Sequence, residues 1–122
     1  MADDAAAAIQ KASAGLEYPS EADAPFDLVR WAPAAGDPTP QAVAVLAGKK
    51  KGKAAEVPAA EFFAALADTD DAAKFKALEA ALRKYLTDLR VYRVGAPKVN
   101  IYVLGKSASG EWLGLHTTSV ET

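Results

Sequence analysis

Three short runs decide the fold: RVYRV at 90–94, KVNIYVL at 98–104 and EWLGLHTT at 111–118. Each run shows an alternation rich in branched and aromatic side chains, which is the pattern of a β-strand. Gly95 ends the first run, Gly105 ends the second, and the sequence SASG at 107–110 is typical of a tight turn. The sequence therefore predicts a three-stranded antiparallel meander.

The segment before the meander predicts an amphipathic helix over 71–89. It opens with DTDD at 68–71, which is typical of a helix start. Large apolar side chains then recur at spacings of 3, 4, 3 and 4 residues, at Phe75, Leu78, Leu82, Tyr85 and Leu89. We expect the first four of them to pack on the sheet.

The N-terminal half predicts further helices and one strand, bounded by glycine and proline residues. The predicted elements are helices at 3–14, 39–47 and 58–66, a strand at 26–31, and loops at 16–25 and 48–55. Helices precede the strands and lie between them, without βαβ alternation. The predicted class is therefore α+β, with helices packed on a mainly antiparallel sheet.

Composition narrows the possible functions. The 122 residues suffice for a single domain over 1–122 with its own core. Cysteine is absent and His116 is the single histidine, which excludes disulfides, thiolate chemistry and a two-histidine zinc site. The formal net charge of −2 argues against a general nucleic-acid binder, because such binders cluster Lys and Arg.

The charges are unevenly spread along the chain. Residues 1–48 carry seven acids against Lys11 and Arg30, and the run KKKGK at 49–53 then adds four positive charges. The excess of acids in residues 1–48 predicts either a surface that binds a cationic partner or a solvated surface that binds no partner. No apolar run approaches the ~18–20 residues that span a bilayer. The opening MADDAAAAIQ lacks the basic end of a secretory signal, so we expect a cytoplasmic protein.

The residues that could carry chemistry form no catalytic set. His116 lies in a predicted strand, where a packing role is the commoner one. The run GKSASG at 105–110 lacks the spacing of a phosphate loop and does not precede a helix, so we interpret it as a hairpin turn. Glu21, Asp23 and Asp27 are close in sequence, but no second group of metal ligands accompanies them. We predict a non-catalytic domain without a cofactor or a metal of its own.

A series of short motifs resembles the nuclease A inhibitor family, and the motifs follow one another along the chain in the order of that family. The motifs are KASAGL at 11–16, SE at 20–21, PFD at 25–27, Trp31, the Phe62-Phe63 helix, AKF at 73–75, VYRVG at 91–95, IYVLG at 101–105, Gly110, LGL at 113–115 and VET at 120–122. The resemblance therefore covers nearly the whole chain.

The resemblance implies a fold and a function. The fold is an α/β/α sandwich, and members of the family inhibit a sugar-non-specific DNA/RNA endonuclease of the ββα-metal type. Glu121 and Thr122 would enter the nuclease active site with the carboxyl terminus, where Thr122 would approach the metal of the nuclease. Glu21 would meet arginines of the nuclease. We therefore expect Glu21 at the surface, on the same side of the molecule as the C-terminus, and a monomer when the protein is free.

One part of the family pattern differs, and two other functions stay open. The family has a longer acidic loop with a tryptophan before the long helix, which is shortened here to ADTDD at 67–71. The first alternative is an interaction module on the same fold with a different partner, which would not require the terminal Glu121 and Thr122. The second is a small hydrolase, which would require a pocket around His116 with acids in hydrogen-bond reach.

Overall fold

The computed structural model of the protein describes residues 2–18, 24–31, 54–67, 72–95, 98–107 and 110–120. The helices are α1 (Ala2–Ser13), α2 (Ala59–Leu66) and α3 (Ala72–Tyr85). The strands are β1 (Glu17–Tyr18), β2 (Ala24–Pro25), β3 (Asp27–Arg30), β4 (Ala54–Val57), β5 (Leu86–Val94), β6 (Lys98–Ser107) and β7 (Trp112–Val120). The predicted helix at 39–47 and the basic run at 49–53 lie outside the described residues.

Five strands form one antiparallel sheet in the order β3-β7-β6-β5-β4. The predicted meander is confirmed as its centre, where β6 pairs with β5 on one side and with β7 on the other. The strand predicted at 26–31 is confirmed as β3, which pairs with β7. The loop prediction for 48–55 is wrong at its end, because β4 begins at Ala54. The sequence AAEV carries little strand propensity, so the pairing of β4 with β5 decides its conformation.

The long helix is shorter than predicted. It ends at Tyr85, and the chain continues directly into β5, so Leu89 belongs to a strand. Leu86 pairs with Ser107 and Thr87 with Lys106, and an irregularity then separates Thr87 from Arg90. The apolar period of the helix continues by coincidence to Leu89, which still packs against the core from the strand. No glycine or proline marks the boundary between helix and strand. The apolar spacing therefore predicts a helix that extends beyond its observed end at Tyr85.

Gly105 does not end its strand, contrary to the prediction, because β6 continues to Ser107. A Cβ on Gly105 would lie 2.7 Å from Cβ of Leu86 and 2.9 Å from Cδ2 of Leu89. The glycine is therefore needed because the start of β5 packs closely over it. The predicted hairpin turn follows, where the Gly110 amide donates to the Ser107 carbonyl at 2.9 Å.

The described helices cover one face of the sheet. Their apolar side chains pack with alternate side chains of the strands into one core cluster. Its members include Ile9, Phe62, Phe63, Leu66, Phe75, Leu78, Leu82, Val91, Ile101, Val103, Leu113 and Leu115. The predicted packing of α3 is confirmed, since Phe75, Leu78 and Leu82 are buried and Tyr85 packs beside them half-buried. Each large buried side chain of this kind contributes roughly 1.5–3 kcal/mol.

The opposite face of the sheet is also buried. Its side chains form a second, aromatic cluster of Trp31, Tyr92, Val94, Tyr102, Leu104 and Trp112. Both tryptophans are buried, and the Arg90 guanidinium lies 5.1 Å from the Trp112 ring centroid. A sheet buried on both faces agrees with a sandwich, and the predicted α+β class with helices on an antiparallel sheet is confirmed.

Candidate partner interface

The three residues predicted to bind a partner lie outside the described residues. Glu21 falls between β1 and β2, and Glu121 and Thr122 follow β7. The structure does describe the strands that flank them. The site is therefore built from those segments: the β1–β2 pair on one side and the final residues of β7 on the other.

The predicted loop at 16–25 contains a small two-stranded hairpin, which sequence reasoning missed. Glu17 pairs with Pro25 and Tyr18 with Ala24, so the residues 19–23 connect two antiparallel strands. Each strand has only two residues and the segment contains two prolines, so the local sequence gave no strand pattern to detect. The pairing fixes both ends of the segment that carries Glu21.

Aromatic contacts hold the hairpin against the helices. The Tyr18 ring stacks on Phe62 of α2, with centroids 5.8 Å apart and planes 9° apart. Phe26, which follows β2, meets Phe75 of α3 edge-on at 6.2 Å. Tyr18 and Phe26 also contact each other at 6.5 Å. Such pairs each contribute about 0.5–1.5 kcal/mol beyond the burial of their surface.

A buried hydrogen bond holds the hairpin against β7. The Thr117 hydroxyl donates to the carbonyl oxygen of Ala24 at 3.2 Å, and Thr117 is only 2% exposed. Three residues later the last pair of the β6–β7 ladder joins Val120 to Lys98. The stem of the Glu21 segment and the end of β7 therefore lie at the same end of the sheet, which we call the hairpin end.

A surface cleft of about 380 Å³ opens beside the hairpin. It is lined by the last turn of α1, the turn through Gly15, and residues around β1, β2 and β3. Glu17 and Asp27, both exposed, contribute its charges, and none of the described residues that line it is Lys, Arg or His. The carbonyl end of a helix is also electronegative, so the cleft favours cationic groups.

The far end of the sheet carries the opposite charge. A smaller cleft of about 190 Å³ lies where α3 passes into β5 and β6 ends, and we call this region the turn end. Arg83, Lys84 and Lys106 line it. Arg83 donates from Nε to Glu79 at 3.0 Å, one turn earlier on α3. Thr87 donates from its hydroxyl to the Lys106 carbonyl at 3.3 Å.

His116 is fixed on the aromatic face of the sheet. Its Nε2 lies 3.1 Å from Oδ1 of Asn100, and its ring packs 4.7 Å from the Tyr102 ring. Burial raises the pKa of Tyr102. Asp27 is the register partner of His116 on β3. These contacts are those of a packed sheet residue.

Neither a metal site nor a membrane span is found in the part of the chain that the structure describes. Among those residues, no group of three or more His, Cys, Asp or Glu side chains is arranged to hold a metal ion. None of the described helices is long and apolar enough to cross a bilayer.

Thr117 is the residue of this region that sequence reasoning missed. A signal was present, because Leu113 and Leu115 point into the core and Thr117 is the next residue of the same parity. A hydroxyl at a core position indicates a buried carbonyl that needs a donor.

The sequence matches one family model over residues 3–122, and that model is described as nuclease A inhibitor-like protein. No curated protein matches the chain. The matched range includes Glu21, Glu121 and Thr122 and both segments that form the hairpin end.

Proposed function

Because the chain belongs to the nuclease A inhibitor-like family, we propose that it inhibits a metal-dependent, sugar-non-specific endonuclease by blocking the active site. The family is one of inhibitors, so a nuclease is the class of partner that it implies. We propose the ββα-metal type of nuclease as that partner, a non-catalytic role for this chain, a monomer when it is free, and a cytoplasmic location.

The chemistry of such a nuclease explains what an inhibitor must present. An enzyme that cleaves any nucleic acid recognises phosphate, with cationic side chains and a divalent metal. Carboxylates placed where phosphates would lie can occupy the same groups. A glutamate can pair with an arginine through two parallel hydrogen bonds, and carboxylate and hydroxyl oxygens suit a hard divalent cation.

The hydrogen bond between Thr117 and Ala24 is the observation that carries the proposal. Glu21 is three residues from Ala24, and Thr122 is five residues from Thr117. An extended chain spans at most ~3.6 Å per residue, so covalent geometry limits Glu21 to about 11 Å from its end of the bond and Thr122 to about 18 Å from the other. These limits support one continuous surface that can face one nuclease cleft.

We assign a role to each of the three residues. Glu21 would pair with arginines of the nuclease. Glu121 would add a second carboxylate, and Thr122 with the terminal carboxylate would approach the metal held by the nuclease. The cleft that contains Glu17 and Asp27 supports this assignment, because it adds two exposed carboxylates to the same end of the molecule, where they would attract cations of a nuclease groove.

The test is a digestion assay with a purified ββα-metal nuclease, Mg²⁺ and increasing amounts of the protein. We expect wild type to inhibit the enzyme and Glu21→Ala to weaken inhibition by about 30-fold, which corresponds to a hot spot of ~2 kcal/mol. Glu56→Ala is the matched control, because Glu56 is an exposed glutamate on β4, at the other edge of the sheet. Absence of inhibition by wild type would instead favour an interaction module with a different partner.

A further inference from the structure

We propose that His116 makes inhibition of the nuclease depend on pH, because its protonation adds a positive charge beside Asp27 at the hairpin end. This inference rests on the proposed function and goes beyond it, since it assigns a regulatory role to a residue of the sheet. The register of the strands, the contacts of the imidazole ring and the charges around it support this role.

His116 lies in a row of ionisable side chains that crosses the whole sheet. The register pairs place one residue from each strand in this row, in the order Asp27, His116, Tyr102, Tyr92 and Glu56. Register partners project on the same face of a sheet, with Cβ atoms about 4.5–5.5 Å apart. The next row, from Leu28 to Val57, consists of aliphatic residues alone. The ionisable row therefore brings the imidazole next to a carboxylate at the edge of the sheet.

Three neighbours of the His116 ring accept or attract positive charge. Nε2 lies 3.1 Å from Oδ1 of Asn100, and an amide oxygen can only accept, so Nε2 carries a hydrogen and a second proton would go to Nδ1. The Tyr102 ring lies 4.7 Å away, centroid to centroid, a distance at which an aromatic ring attracts a cation. Asp27 contributes its carboxylate from the neighbouring strand. Protonation therefore keeps the existing contacts and adds an attraction to Asp27.

Asp27 is the nearest formal charge to His116 on the aromatic face, among the described residues. Lys98 and Lys106 are each four residues along β6 from the register partner of His116, which corresponds to about 13 Å. Glu56, at the far edge of the row, is three strand spacings away, or about 14 Å. Both distances exceed the Debye length of about 8–10 Å at moderate salt. The charge of His116 is therefore coupled chiefly to that of Asp27.

Other ionisable groups near β7 belong to the helix-covered side of the sheet. α1 and the β1–β2 hairpin contact β7 there, and their described side chains include Lys11, Glu17 and Tyr18. Arg30 of β3 is three residues from Asp27 and therefore projects to that side as well. The sheet separates these groups from the imidazole ring.

Protonation of His116 changes the charge that the hairpin end presents to a nuclease. Histidine ordinarily takes up its proton near pH 6.5, whereas carboxylates remain ionised well below that pH. In neutral and alkaline solution, Asp27 helps to attract the cations of the nuclease groove. In mildly acidic solution, the imidazolium pairs with Asp27 and the two charges cancel. Inhibition should therefore weaken as the pH falls through the titration of His116.

The first experiment measures the inhibition constants of wild type and His116→Gln against a ββα-metal nuclease in Mg²⁺, at about pH 8 and about pH 5.5. Gln is uncharged and keeps a donor for Asn100. The pH dependence of the nuclease itself cancels in the ratio of the two constants. We expect a ratio near one at the higher pH and a wild-type constant about twofold to fivefold higher than that of the variant at the lower pH, as for one screened charge near a cationic surface. The same ratio at both pH values would overturn the proposal.

The second experiment needs no nuclease, because His116 is the single histidine and its ring protons give one titration curve in an NMR spectrum. We expect Asp27→Asn to move the midpoint of that curve to lower pH by roughly 0.2–0.7 unit, the range for a partly exposed ion pair. Glu56→Gln, the matched control in the same row, should leave the midpoint unchanged. An unchanged midpoint in Asp27→Asn would overturn the coupling on which the proposal depends.

The two experiments distinguish failure of the pH device from failure of the proposed function. A wild type that inhibits no such nuclease at either pH would overturn the proposed function. Inhibition by wild type with a constant ratio to His116→Gln would overturn the pH device alone. His116→Asn is a second uncharged variant and should give the same ratios, and circular dichroism at both pH values verifies that each protein compared is folded.

Discussion

The clefts at the two ends of the sheet carry opposite charges, although each lies beside the C-terminus of a helix. At the turn end, α3 carries Arg83 and Lys84 in its last turn, where cations complement the electronegative carbonyls. At the hairpin end, Glu17 and Asp27 line the cleft formed with the last turn of α1, where the same electrostatics oppose them. The last turn of α1 also contains a cation, Lys11, so the two ends differ in the acids that line the hairpin-end cleft and not in the helix termini.

The acids of the hairpin-end cleft mark it as the candidate partner surface. Exposed charges that do not complement a helix terminus are candidates for contact with a partner. The acids at the hairpin end would meet the cations of a nuclease, whereas the cations at the turn end are explained by the helix that they terminate. The charges of the two clefts therefore indicate the hairpin end as the partner surface. The hydrogen bond between Thr117 and Ala24 lies at that same end.

The largest expected effect is on the scaffold that both ends share. Leu82 is fully buried between α3 and the sheet, so Leu82→Ala should lower the free energy of unfolding by about 2–5 kcal/mol. Chemical denaturation monitored by circular dichroism measures this loss. Ala80→Ser on the exposed face of α3 is the control and should change stability by only about 0.5 kcal/mol. A loss below about 1 kcal/mol in Leu82→Ala would contradict the packing.

A matched pair of substitutions tests the contrast between the two ends directly. Glu17→Gln at the hairpin end should leave the stability of the free protein unchanged or raise it by a few tenths of a kcal/mol, because an opposed charge is removed. It should also weaken nuclease inhibition. Lys84→Gln at the turn end should lower stability by a similar small amount and leave inhibition unchanged. If both variants changed the stability with the same sign at low salt, the result would contradict the electrostatic difference between the two ends.

The smallest expected effect concerns the aromatic face and alkaline pH. Burial raises the pKa of Tyr102, and it also raises the pKa of Tyr92, for which the hydrogen bond from Arg90 acts in the opposite direction. The folded protein therefore holds these phenolic protons more tightly than the unfolded chain does. Their contribution to stability is fully present below the ordinary tyrosine pKa of about 10 and is lost as pH rises through the raised values. Tyr102→Phe should make the fall in thermal midpoint between pH 9 and 11 shallower. A fall as steep as that of wild type would contradict the assignment to Tyr102.

Sequence reasoning identified the elements whose pattern is long and regular. The meander repeats the strand period and the apolar face of α3 repeats the helix period, each over many residues. The structure contains both elements. The end of α3 was missed because Leu89 continues the helical period from within β5. The glycine spacing predicts a strand end at Gly105, whereas the structure requires this glycine because Leu86 approaches it closely.

The hairpin end was less predictable, because tertiary contacts create it. Two-residue strands have no period, so the β1–β2 pair is visible only through its partners on α2, α3 and β7. The motifs around Glu21 and the terminal residues suggested a function through resemblance. They could not indicate that Thr117 connects the two segments, because residues 93 positions apart show no local relation.

The central claim is that the hairpin end, including the carboxyl-terminal residues, blocks a nuclease. The most direct measurement titrates a ββα-metal nuclease in Mg²⁺ with three forms: intact protein, protein lacking Glu121 and Thr122, and protein extended by a C-terminal tag. We predict strong inhibition by the intact form and clearly weaker inhibition by the other two, with the same thermal midpoint for all three. Equal potency of the three forms would contradict the claim.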